Sequence, residues 1–130
     1  MLHSGVVMST VVHFDLPADN AERARTFFTG LFDWKFIAPP GFSDYYLVET
    51  FDQDGNPSLG GGLGKRRSAD QRIMNYIGVS SIDHYCDKVQ QLGGQVIVPK
   101  MIVPKFGFMA VCTDTEGNQF GLWQDDPDAG

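Results

Sequence analysis

Residues Val11 to Phe36 read VVHFDLPADNAERARTFFTGLFDWKF, and this stretch decides the fold because a later one follows the same plan. Val12, Phe14 and Leu16 share one face of a strand, and Val11, His13 and Asp15 share the other, so the strand is half buried. Pro17 ends it. Asp19 or Asn20 can cap a helix predicted from about Ala21 to Phe32, where Ala24, Phe27, Phe28 and Leu31 recur at helical spacing and pack on the sheet. "WKF" begins another strand, "PPG" interrupts it, "DYYLVET" is a third, "DQDGNPS" is a turn and "LGGGLGK" is a glycine-loaded fourth.

The second stretch, MNYIGVSSIDHYCDKVQQLGGQVIVPK from Met74 to Lys100, gives a strand, a cap region at Ser80 and Ser81, and a helix carrying Ile82, Tyr85, Val89 and Leu92. A Gly-Gly stop and a strand follow, then two more strands, "GFMAVCT" and "QFGLWQ". An offset of 61 lays Phe28 on Val89, Leu31 on Leu92 and His13 on Met74 without a gap, and an offset of 59 lays Gly62-Leu63 on Gly121-Leu122. The pattern predicts an α+β fold of two βαβββ modules, an internal duplication, within one domain over 1–130. Module one spans about 10–68 and module two about 72–125.

The 130 residues, 42% hydrophobic and 20% charged, are those of an ordinary globular chain with one core. A net charge of −6 leaves "KRR" at Lys65 to Arg67 as the local basic cluster, so nucleic acid is a poor partner. No apolar segment approaches the roughly 20 residues of a membrane span, and the opening MLHSGVVMST lacks a signal-peptide pattern, so no membrane partner and a cytoplasmic setting are expected. Cys86 and Cys112 match no zinc or redox spacing and are expected to be reduced thiols, with a single disulfide the alternative.

This order of segments resembles the vicinal oxygen chelate superfamily: glyoxalase I, bleomycin-resistance proteins and extradiol dioxygenases. The resemblance runs from Val11 to Asp126 and rests on HFDLPADNAERARTFFTGLFDWKF, GGGLGKR, NYIGVSSIDHYCDKVQQLGGQV and DTEGNQFGLWQ. Within the superfamily it is closest to small proteins described as predicted enzymes related to lactoylglutathione lyase. It implies a cupped mixed sheet with helices on the convex side, a small-molecule cavity on the concave side, and a homodimer.

Metal-dependent members hold a divalent ion through four side chains, one from the first and one from the last strand of each module. Carried over, these fall on His13, Gly62, Met74 (or Asn75 after a slip of one) and Gly121. One imidazole cannot hold zinc, nickel or iron alone, so no metal or other cofactor is expected. A divalent ion returns only with a rearranged site, for example His13 with Glu49. Gly62 and Gly121 would then enlarge the cavity and admit a ligand to the backbone, or they relieve crowding between bent strands.

His13 is the candidate catalytic residue, since imidazole titrates near neutral pH. Asp15, on the same face, can orient it. Tyr46, Glu49, Gly62, Tyr76, Phe108, Gly121 and Trp123 complete the candidate substrate-binding set, the aromatic members as a wall for a flat ligand or as ordinary core. Three functions remain open: a metal-independent lyase or isomerase, a non-catalytic binding protein of the resistance type, and a metal-dependent lyase or dioxygenase with a rearranged site.

Overall fold

The computed structural model describes residues 9–42 and 44–130. The absence of a targeting pattern read at residues 1–8 lies outside them. The elements run β1 (Thr10–Ala18), α1 (Ala21–Phe32), β2 (Lys35–Ile37), β3 (Tyr45–Glu49), β4 (Gly61–Lys65), β5 (Met74–Gly78), α2 (Ile82–Gln91), β6 (Gln95–Val103), β7 (Gly107–Thr113) and β8 (Gln119–Asp125). This is the α+β order expected, βαβββ twice. No helix among the described residues is long and apolar enough to cross a membrane.

The chain divides into two compact units, His13–Met74 and a second one made of Asn75–Gly130 with the start of β1. In the first, the strands lie in the order β2-β3-β4-β1, with β1 parallel to β4 and the other neighbours antiparallel. In the second, the order is β5-β8-β7-β6, with β5 parallel to β8. The parallel ladders repeat at residue level: Asp15 faces Gly62 in one and Tyr76 faces Gly121 in the other. The offsets of 61 and 59 read from the sequence join these same pairs.

Within each unit the strands bury one face under that unit's helix, because alternate strand residues point to opposite faces. Ala18, Val48 and Leu63 form the core of the first unit, with Phe14, Leu16, Ala24, Trp34, Phe36 and Tyr46 packed around them. Val79, Ile82, Ala110, Cys112 and Leu122 form that of the second, under Tyr85, Cys86 and Val89 of α2. Fully burying a side chain such as Leu63 or Ile82 stabilises the fold by about 1.5–3 kcal/mol. Asn20 caps α1 by accepting from the Arg23 amide at 2.9 Å, and Ser81 caps α2 by accepting from the His84 amide at 3.2 Å.

Two sequence expectations change. In α1, Phe27 and Leu31 are 61% and 56% exposed, and only Ala24 of the predicted stripe joins the core cluster. The aromatic residues of this helix pack mainly on one another, with Phe28 stacked on Trp34 at 5.2 Å between ring centres. Leu92 is the C-terminal cap of α2 and is exposed, not part of its buried stripe. Both cysteines are free thiols; burial pushes Cys86 up and Cys112 to about 11, which leaves little thiolate near neutral pH.

Candidate functional site

On β1 the alternation puts Phe14 and Leu16 against the core and turns His13 and Asp15 to the face away from α1. There the His13 Nε2 and the Asp15 carboxylate meet at 3.0 Å, with each side chain about one-third exposed. Asp15, not Glu49, is therefore the carboxylate that orients the imidazole. Glu49 is exposed at the end of β3, in register with Lys35.

The neighbouring strand explains the glycine run. Gly61 lies under the Phe14 ring on the core side. On the other side Tyr45 crosses β4: a methyl at Gly64 would stand 3.1 Å from its Cδ1, and one at Gly62 would collide with its hydroxyl. The same Gly62 methyl would come within 2.8 Å of the Asp15 Oδ1. Gly62 thus brings a phenol, a carboxylate and, through the carboxylate, an imidazole around one bare backbone position. Burial, and then the charge of Asp15, push the Tyr45 phenol up to about 12, so it keeps its proton at neutral pH.

Gly121 in the second unit follows the same principle. A methyl there would run into the ring of Tyr76, its partner across the ladder, with Cγ at 2.8 Å. The reading of Gly62 and Gly121 as open cavity floor is therefore corrected: tyrosine side chains fill the space that the glycines clear. Tyr76 is buried and turns away from the core residue Ile77, and Trp123 shares the face of Gly121, as the alternation predicts. The Trp123 indole N–H donates to Asp125 at 2.6 Å, which fixes the plane of the ring.

Two aromatic assignments move to the opposite face. Tyr46 packs in the core of the first unit and its hydroxyl donates to Glu22 on α1. Phe108 packs against the α2-side core, with the Lys100 ammonium 4.6 Å above its ring. In β3, Val48 is buried, so Tyr46 must share its side and Tyr45 the other. Tyr45 is the residue beside Asp15 and Gly62 that the sequence reading missed. The signal was present in "DYYLV", where the buried Val48 chooses between the adjacent tyrosines.

A cleft of about 370 Å³ in the first unit is lined by Asp19, Glu22, Phe42, Asp44, Tyr45 and Lys65 among others. It reaches Tyr45 but not His13 or Asp15, so the polar group of His13 lies beside the cleft and not in its floor. A smaller one, about 270 Å³, lies in the second unit between Val12, Gly78, Trp123 and Asp125.

No family model matches the chain. Over 85% of its length it is 31% identical to the protein named "Putative glyoxylase CFP32" of Mycobacterium bovis and Mycobacterium tuberculosis. It is 29% identical to the anthracycline biosynthesis protein DnrV of Streptomyces peucetius, also over 85% of the chain. It spans less than half of these relatives, 43% and 45%. A Streptomyces coelicolor methylmalonyl-CoA epimerase in complex with 2-nitronate-propionyl-CoA superposes with a TM-score of 0.68 at 11% identity, covering 93% of this chain and 97% of the epimerase. These relatives and this fold bear out the resemblance to the vicinal oxygen chelate superfamily. At the positions where metal-dependent members of this superfamily carry ligands, it offers one donor, His13, which already holds Asp15. Gly62 and Gly121 lie under tyrosines, and no group of three or more His, Cys, Asp or Glu side chains gathers among the described residues. The donor set does not fit the superfamily ion.

Proposed function

We propose that this vicinal oxygen chelate protein binds a small organic molecule on the helix-distal face of its first unit without a resident metal, and acts on it as a lyase or isomerase. The observation that carries the reading is the 3.0 Å pair of His13 and Asp15 on that face. A carboxylate bound to one ring nitrogen fixes the orientation of an imidazole, the side chain most often used to take a proton from a ligand. The other parts of the proposal are a cytoplasmic setting, read from the two reduced cysteines, and a homodimer, which the resemblance implies. A sedimentation mass of one chain contradicts the dimer.

The test is a thermal-shift screen of small metabolites against the wild type and His13→Ala, with and without chelator. Ligands whose stabilisation survives chelator and weakens in His13→Ala support the reading. Stabilisation abolished by chelator overturns it in favour of a rearranged metal site. A second reading, sequestration without turnover, is favoured by the tyrosines that fill the glycine positions. Hits that the wild type never converts would establish it.

A further inference from the structure

The Tyr45 hydroxyl stands out among the polar groups of the first unit. It makes no hydrogen bond among the described residues, yet its ring lies along Gly64 and its oxygen sits over Gly62. Among the described residues no buried polar side-chain atom lacks a partner, so this oxygen keeps access to solvent. A phenol anchored along its ring, carrying a proton and offering it to nothing in the described chain, is a donor awaiting an acceptor. The surroundings limit what that acceptor can be. The Asp15 carboxylate stands beside it; in the adjoining cleft Asp19 and Glu22 are paired with Arg66 and Arg25, and Asp44 and Lys65 complete the charged lining. Phe42 lies 6.0 Å from the Tyr45 ring, centre to centre, so the cleft also has an aromatic side.

We propose that Tyr45 is the specificity-determining donor of the ligand site, binding the uncharged carbonyl or amide oxygen of an aromatic compound and discriminating against the carboxylate of the same shape. The inference rests on the reading of this face as the binding surface. A carbonyl oxygen accepts the O–H without bringing charge, and its ring lies toward Phe42. A carboxylate would gain the same hydrogen bond but would meet the Asp15 carboxylate, and like charges at short range disfavour the bound state.

The test uses acetophenone, benzamide and benzoate, the first two with ¹³C at the carbonyl, titrated by NMR into wild type, Tyr45→Phe, Gly62→Ala and His13→Ala. The expected result is binding of acetophenone and benzamide at least about tenfold tighter than benzoate, with the bound carbonyl carbon moved downfield as a hydrogen bond forms. Tyr45→Phe keeps the ring along Gly64 and should lose both the downfield movement and about tenfold in affinity. Gly62→Ala, which displaces the hydroxyl without removing it, should do the same. Equal binding of benzoate, or an unchanged carbonyl shift in Tyr45→Phe, overturns the inference while leaving the His13 reading intact. Failure of both uncharged probes to bind the wild type also overturns it. Loss of metabolite binding in His13→Ala alone, with the carbonyl signal retained, would place the metabolite away from Tyr45 and overturn the role of Tyr45 in that site.

Discussion

At the scale of single residues, the glycines that interrupt these strands are accounted for by the tyrosines over them. Gly121→Ala drives a methyl into the Tyr76 ring, and overpacking of this kind costs roughly 1–3 kcal/mol. In a Tyr76→Ala background the same change should cost almost nothing, so a double-mutant cycle by urea denaturation should return a coupling close to the whole penalty. Tyr45 gives a pH-dependent counterpart. Its phenol is held up to about 12 against an ordinary 10, so at alkaline pH the unfolded chain gives up this proton before the folded one does. The stabilisation is complete below the unfolded value and drains away as pH rises from about 10 through 12. Wild type should therefore lose stability over that window faster than Tyr45→Phe, measured as urea midpoints at stepped pH.

At the scale of elements, legibility follows periodicity. Strand alternation in β1 was readable because Phe14 and Leu16 are unambiguous core residues, and it located His13 and Asp15 correctly. It failed in β3 because two tyrosines stand side by side and either is apolar enough to be core; only the buried Val48 breaks the tie. In "GFMAVCT" the aromatic Phe108 was read as a ligand wall, although Ala110 and Cys112 on its side are the buried positions. Helical spacing found α1 but not its buried direction, since Phe27, Phe28, Leu31 and Phe32 span a wide arc, about 140° at 3.6 residues per turn, without marking which part of it meets the sheet. This has a consequence for stability. Phe27→Ala and Leu31→Ala should each change it by no more than about 0.5 kcal/mol, as at exposed sites. Phe28→Ala, which removes the ring stacked on Trp34, should cost roughly 2 kcal/mol or more by the same denaturation assay.

At the scale of the whole molecule, the duplication was legible because each half repeats the order of its elements. The chemistry at the duplicated positions was legible only in part. The sequence showed that Gly62, Met74 and Gly121 are not ligands, but not what occupies their space, because that depends on side chains reaching across from other strands. Tyr45 and Tyr76 fill it, and Asp15 holds the remaining imidazole, so this chain should retain no stoichiometric divalent ion. The net charge of −6 will gather divalent ions loosely around any such surface, and salt screens that attraction over about a Debye length, roughly 8 Å at 0.15 M. The decisive measurement is elemental mass spectrometry on untagged protein, loaded with excess zinc, nickel or manganese and dialysed at that ionic strength without chelator. Well under one ion per chain is expected, with a thermal midpoint that chelator leaves unchanged, because a tightly bound ion would stabilise the native state by mass action. One ion per chain together with a midpoint that falls on chelation would mean that His13 exchanges Asp15 for a metal, and the donor-set argument would fail.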